Sequence, residues 1–115
     1  MAPRVRKIGP GAKAAVKPLL ERAKKDDSFD SAAAAWALAR IAPADKEVAD
    51  AIMPKLKKTL KSADEQERMD GVEALADMKA AGQSADAELE KAAKDDSSPM
   101  VRAAAEEAVH PKPAQ

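Results

Sequence analysis

Three aspartates close together in the sequence, Asp26, Asp27 and Asp30, are of the residue type that binds a cation. A calcium loop of the EF-hand type also needs a glycine at its sixth position and a glutamate at its twelfth, and this stretch has neither. Aspartate and serine also accept hydrogen bonds from the free N–H groups at the start of a helix. We therefore interpret these aspartates, and the pair Asp95 and Asp96, as parts of helix-capping turns, and we expect no metal site.

The sequence offers no pattern of side chains that supports catalysis. It contains no cysteine, which excludes disulfides, thiolate nucleophiles and cysteine-ligated zinc. The one histidine, His110, lies in no motif that would supply a nucleophile or a paired carboxylate. We therefore expect a protein that is not an enzyme and that holds no cofactor.

Trp36 is the only tryptophan and the first candidate for a binding residue. The sequence Ala-Leu-Ala follows both Trp36 and Glu73, so these two residues occupy equivalent positions, as do Arg40 and Asp77 one helical turn further on. One interpretation is that the four residues form a binding surface, because a lone aromatic at an exposed position can anchor a partner. The other is that Trp36 fills space in the core among small neighbours, and that Arg40 and Asp77 form at most a weak surface ion pair.

Four lysines within seven residues form a candidate basic patch: Lys55, Lys57, Lys58 and Lys61. A second basic cluster, near the N-terminus, consists of Arg4, Arg6 and Lys7. Phosphate contacts need only well-placed Lys and Arg side chains. However, the 20 basic and 20 acidic residues give a formal net charge of zero, so no overall field attracts nucleic acid or an anionic membrane. A solvated helix surface is the alternative interpretation of the lysines.

Length and composition limit the fold class. The 115 residues are enough for one domain, and 45% hydrophobic with 35% charged residues excludes a disordered composition. Aromatic residues make up only 2%, so the core must consist of Ala, Leu, Ile, Val and Met, which disfavours strands. No apolar run is long enough to span a membrane and the N-terminus lacks a secretory signal, so we expect a soluble, cytoplasmic protein without a membrane partner.

Apolar residues recur at steps of three and four along most of the chain, which is the period of an amphipathic helix. Val16, Leu19 and Leu20, for example, fall on one stripe with lysines outside it. The pattern predicts six helices, over residues 11–25, 29–41, 45–61, 65–80, 84–94 and 98–109. Serines, aspartates and Pro99 at their boundaries are typical of helix caps. The predicted fold class is therefore all-α.

The sequence also contains an internal repeat. Three blocks recur: Ala-Leu-Ala at residues 37–39 recurs 37 residues later, the block around Pro18 recurs 36 residues later at Pro54, and the block around Arg68 recurs 34 residues later at Arg102. Such a period indicates stacked repeat units. We expect one domain, residues 1–115, with units over residues 11–43, 44–82 and 83–110. Residues 1–10 are interpreted as the end of a preceding unit and residues 111–115 as a frayed tail.

Each of the first two units has a helix with an internal proline, an Asp-containing turn and a second, Ala-rich helix. This arrangement resembles HEAT repeats, particularly the short bacterial type. The resemblance covers residues 4–110 and is carried by Pro18, Pro54, the turns at Asp27 and Asp64, residues 98–105 and Ile8-Gly9-Pro10. It implies an α-α superhelix of three antiparallel helix pairs. The spacing also overlaps that of tetratricopeptide repeats, but the Trp, Leu-Gly, Tyr and Phe positions of that family are not met in order.

The resemblance implies a function as well, because HEAT proteins are mostly adaptors that share a shape and differ in their partners. We expect a scaffold that binds another protein on the concave face of the second helices, through Trp36, Arg40, Glu73 and Asp77. One alternative is a nucleic-acid-binding HEAT-like domain that uses the lysines of residues 55–61, as some HEAT-like DNA glycosylases bind the duplex backbone. Another is a structural segment that stacks on further repeats, or on a copy of itself, through its open ends.

Overall fold

A computed structural model of the protein describes residues 9–110, with side chains from residue 14 onwards. This part of the chain is all-helical and contains no strand. Its six helices are α1 (Gly9–Lys25), α2 (Phe29–Ile41), α3 (Lys46–Thr59), α4 (Glu65–Ala80), α5 (Asp86–Asp95) and α6 (Pro99–Val109). The predicted all-α class and the number of helices are confirmed, and every helix boundary lies within two residues of its predicted position.

Several predicted features at the two ends cannot be compared with the structure. The basic cluster of Arg4, Arg6 and Lys7 and the predicted tail at residues 111–115 lie outside the described residues. The same is true of most of the segment that was interpreted as the end of a preceding unit. Its last residues, Gly9 and Pro10, belong to α1, where a proline in the first turn lacks only a donor that the helix does not use.

Short polar side chains at the predicted boundaries cap four of the helices. In each case a side-chain oxygen accepts a hydrogen bond from a backbone N–H of the first turn. The caps are Ser28 for α2, Asp45 for α3, Asp64 for α4 and Ser98 for α6, the last followed by Pro99. The α5 helix begins after Ala85 without a side-chain cap. The boundaries of most helices are therefore fixed by local hydrogen bonds that are visible in the sequence.

Each helix packs on its neighbour in the sequence, and a second set of contacts joins alternate helices. The α4 helix contacts both α2 and α6, while α1 contacts α3. The buried residues form one cluster that includes Leu38, Ile52, Leu75, Met78 and Leu89, together with at least one alanine from each of the six helices. No aromatic side chain of the described residues is fully buried. The core composition is the one that the sequence predicted.

Arginines bind the turns that precede α4 and α6 in an equivalent way. Arg68 Nη1 donates to the carbonyl oxygen of Ser62 at 2.9 Å, and Arg102 Nη1 donates to that of Asp96 at 2.7 Å, six residues back in each case. At the equivalent position of the predicted first unit, Ser31 stands in place of the arginine. Its hydroxyl donates to the Arg22 carbonyl at 2.7 Å and so binds the end of α1 directly.

None of the helices described here is both long and apolar enough to cross a membrane.

Candidate protein-binding groove

A groove runs between α2 and α4, and the four residues predicted to bind a partner all line it. Its volume is about 380 Å³. The lining residues are Trp36, Ala37, Arg40, Ile41, Asp70, Glu73, Ala74 and Asp77. We call this surface the α2/α4 groove. The groove thus brings Trp36 and Arg40 together with Glu73 and Asp77, which lie 37 residues further along the chain, at the positions that the predicted repeat makes equivalent.

The spacing of the lining residues explains why they share one surface. Residues three and four apart lie on the same face of a helix, and this spacing relates Trp36 to Arg40 on α2 and Glu73 to Asp77 on α4. The leucine of each Ala-Leu-Ala block, at residues 38 and 75, is fully buried. The first alanine of each block lines the groove, and its small side chain leaves open space between the two helices.

Trp36 combines the two roles that the sequence left open. It is half-buried and packs against the core cluster, yet it also lines the α2/α4 groove. Its indole Nε1 is buried and has no hydrogen-bond acceptor among the described residues. A buried donor without a partner destabilises the folded state by about 1–3 kcal/mol. The ring is thus neither a fully satisfied core residue nor a freely exposed one.

Phe29 lies beside the α2/α4 groove, in contact with Trp36, and the sequence did not single it out. Its side chain is 59% exposed, and its ring meets that of Trp36 edge-on, with the centroids 5.6 Å apart and the planes at 76°. The sequence does contain a signal for this contact, because Phe29 and Trp36 are seven residues apart and so lie two turns apart on one face of the helix. The contact extends the apolar surface beside the groove towards the N-terminus of α2.

The charges in the groove are unbalanced. Asp70, Glu73 and Asp77 contribute three carboxylates against the single cation of Arg40, a formal charge of −2. Arg40 Nε lies 3.9 Å from Asp77 Oδ2, and the arginine side chain is 74% exposed, so their attraction is weak. Burial raises the pKa of Asp77, and Arg40 only partly opposes this effect.

Two lysines of the basic patch bind the turn between α1 and α2. Lys55 Nζ donates to the Asp26 carbonyl at 2.7 Å, and Lys58 Nζ donates to the Asp27 carboxylate at 2.8 Å. Hydrogen bonds from Lys58 and then Lys55 hold the pKa of Asp27 below its usual value. These lysines join α3 to the turn between α1 and α2, which is a structural role.

The two other lysines of the patch differ from each other. Lys57 Nζ lies 3.3 Å from the carboxylate of Glu88 on α5. Lys61 is exposed and forms no ion pair within residues 14–110. Three of the four predicted phosphate ligands therefore already contact carboxylates of this chain, and the patch carries much less free positive charge than its sequence suggests.

The aspartates that resemble a cation site are also engaged locally. Asp26 accepts a hydrogen bond from the backbone N–H of Ser28. The side chain of Ser28, followed by this backbone N–H, holds the pKa of Asp26 far below its usual range. Asp30 lies 3.6 Å from Arg22. Across the described residues, no three histidine, cysteine or acidic side chains are grouped closely enough to hold a metal ion.

Known proteins offer no guide to the role of the α2/α4 groove. No protein-family model matches the chain, and comparison with curated proteins and with solved structures gives no match either. The resemblance to HEAT repeats accordingly stays a prediction from the sequence.

Proposed function

We propose that this protein is a HEAT-like repeat scaffold that binds a segment of another protein in the α2/α4 groove. The observation that carries the proposal is the meeting of Trp36 and Arg40, from one repeat unit, with Glu73 and Asp77, from the next, along one groove. A half-buried aromatic at the centre of a polar rim is the arrangement that dominates binding energy in protein interfaces.

The contacts between helices support the repeat architecture within this proposal. The α2, α4 and α6 helices follow one another through mutual contacts, as the second helices of three stacked pairs would. The equivalent hydrogen bonds of Arg68 and Arg102 also indicate that the second and third units share one local design. Three antiparallel pairs in a curved array account for both observations.

The lining of the groove favours a protein partner over a small molecule. Small-molecule pockets are mostly apolar, enclosed cavities with a few polar groups. Here four of the eight lining residues are charged, and Arg40 is mostly exposed. Such a surface resembles the polar rim of a protein interface, with Trp36 as the anchor.

The two alternatives have less support. Contacts of Lys55, Lys57 and Lys58 with carboxylates reduce the charge that a nucleic-acid interface would need. For self-stacking, the exposed large apolar side chains of the described residues are Phe29 on α2 and Met100 on α6, and such isolated side chains are common on protein surfaces.

Selection from a displayed random-peptide library tests the proposed function. We expect enriched peptides to change the fluorescence of Trp36 and to lose binding to the Glu73→Arg variant, in which an exposed groove residue changes sign. Glu90→Arg is the matched control, because Glu90 is an exposed glutamate on α5 outside the groove. Peptides that bind both variants as they bind the parent protein would place the binding site elsewhere.

A further inference from the structure

We infer that the α2/α4 groove recognises an arginine side chain of its partner, seated between the indole of Trp36 and the carboxylates of α4. This inference rests on the proposed function and names the chemistry of the segment that binds. It follows from the charge of the groove, from the weak engagement of its carboxylates and from the presence of an aromatic ring beside them.

The charge of the groove selects a cationic partner. The whole chain has a formal net charge of zero, whereas the groove alone has three carboxylates and one cation. Complementary charge across an interface speeds association and disfavours partners of the wrong sign. An acidic segment would face Asp70, Glu73 and Asp77 together, so the groove discriminates against it.

The carboxylates are only partly engaged within the protein. Glu73 is exposed and makes no hydrogen bond or ion pair with any residue described in the structure. Asp70 accepts a single side-chain hydrogen bond, from Gln66 at 3.1 Å. The 3.9 Å separation of Arg40 and Asp77 lies near the outer limit of an ion pair. A second cation could therefore bind without displacing a strong internal contact.

An arginine fits this surface better than a lysine does. A guanidinium is planar, so it can stack on an aromatic ring while its N–H groups donate to a carboxylate. Trp36 and Glu73 line the same groove and supply these two partners. Tryptophan is also the aromatic side chain that attracts cations most strongly. The ammonium group of lysine gives a point charge without the stacking surface.

The partly buried Asp77 adds to this preference. Burial disfavours its charged form, as its raised pKa indicates, and Arg40 compensates only weakly. A bound cation would therefore stabilise the ionised carboxylate. A divalent metal ion is a poorer occupant, since within residues 14–110 no three carboxylates lie close enough together to coordinate one.

Fluorescence titration with three synthetic peptides tests the inference: hexa-arginine, hexa-lysine and hexa-citrulline. Citrulline keeps the planar shape of arginine without its charge. Because Trp36 is the only tryptophan, the signal reports on the groove. We expect hexa-arginine to bind at low salt at least threefold more tightly than hexa-lysine, and hexa-citrulline to leave the emission unchanged. Glu73→Gln should weaken hexa-arginine binding at least threefold, and Glu90→Gln should leave it unaltered.

The outcomes separate this inference from the proposed function. Equal weakening by Glu73→Gln and Glu90→Gln, or equal binding of hexa-arginine and hexa-lysine, would overturn arginine recognition. Suppose instead that library peptides without arginine bind the parent but not Glu73→Arg, and that hexa-arginine leaves the fluorescence unchanged. The binding groove would then be supported, and its preference for arginine would be refuted. If neither the library nor hexa-arginine gives binding at the groove, both proposals fail.

Discussion

Arg68 Nε lies 2.9 Å from Asp96 Oδ2, and the two side chains are only 13% and 5% exposed. The same guanidinium donates to the carbonyl of Ser62, so it joins the turn before α4 to the turn before α6. Ser98 strengthens this junction by donating its hydroxyl hydrogen to the carboxylate of Glu65. The junction holds together two turns that are more than 30 residues apart in the chain.

Removal of one partner from this pair should therefore destabilise the protein strongly. A buried charge that loses its partner costs about 3–5 kcal/mol. We expect Arg68→Ala to lower the free energy of unfolding by about 3 kcal/mol in urea denaturation, because Asp96 would remain buried without its main donor. Lys46→Ala is the control, since Lys46 pairs with Asp50 at a fully solvated surface. Its effect should stay below about 0.5 kcal/mol, and similar losses in the two variants would contradict this account.

Acid should destabilise the turn between α1 and α2, which contains Asp26 and Asp27. Hydrogen bonds to Ser28 lower the pKa of Asp26, and hydrogen bonds from Lys58 and Lys55 lower that of Asp27. A carboxyl group whose pKa is lower in the folded state stabilises the fold at every pH above its unfolded-state pKa of about 3.9. This contribution is lost as the pH falls from that value towards the folded-state pKa.

Urea denaturation between pH 6 and pH 2.5 measures this contribution. The parent protein should lose stability below about pH 4, and Asp27→Asn should lose less over the same interval because it no longer has the titrating carboxylate. Asp50→Asn is the comparison, since Asp50 forms only an exposed pair with Lys46. An identical acid dependence in the parent and in Asp27→Asn would show that the Asp27 contacts do not contribute.

Asp77, unlike Asp26 and Asp27, should reduce the stability of the folded protein when it is ionised. Burial raises the pKa of Asp77, so its ionised form is less favourable in the folded state than in the unfolded one. The asparagine variant removes this unfavourable charge and should be slightly more stable than the parent at pH 7. The difference should vanish at pH 3, where the parent carboxyl is protonated. A variant that is less stable at pH 7 would mean that the attraction of Arg40 exceeds the effect of burial.

The close approach of α3 and α4 depends on Gly71. A Cβ at this position would lie 3.2 Å from Thr59 Cγ2 and 3.3 Å from Leu60 Cδ2. Gly71→Ala should be nearly neutral, because a gain of about 1 kcal/mol in helix propensity offsets the crowding. Gly71→Leu should lower the free energy of unfolding by about 1–3 kcal/mol by forcing the helices apart. Thermal unfolding of both variants checks this, and a stable leucine variant would contradict the close packing.

The helices could be predicted from the sequence because their signals are local. Apolar residues at steps of three and four and caps such as Asp64 and Ser98 place the boundaries without knowledge of the tertiary structure. The α2/α4 groove could also be anticipated, since the repeat made Trp36 and Glu73 equivalent before any contact was known. Whether Trp36 was core or surface could not be decided, because its burial depends on how closely the neighbouring helices pack.

The roles of several charged residues were hidden for the same reason. In the sequence, the four lysines of residues 55–61 form one basic patch. The partners of Lys58 and Lys57, Asp27 and Glu88, lie about 30 residues away in opposite directions along the chain. Arg68 was recognised as a recurring residue, yet its pairing with Asp96 depends on the arrangement of two turns. Sequence periodicity identifies faces of helices, whereas partners across the fold follow only from the packing.

The alanines at the α2/α4 groove have a consequence for how such a surface can diversify. Ala37 and Ala74 are its smallest lining side chains, so methyl groups set its depth, while the carboxylates and Trp36 set its chemistry. A change from methyl to isopropyl at residue 37 would make the groove shallower without altering a single charge. Depth and charge are therefore separate variables, and related grooves could exclude bulky segments while keeping the same electrostatic preference.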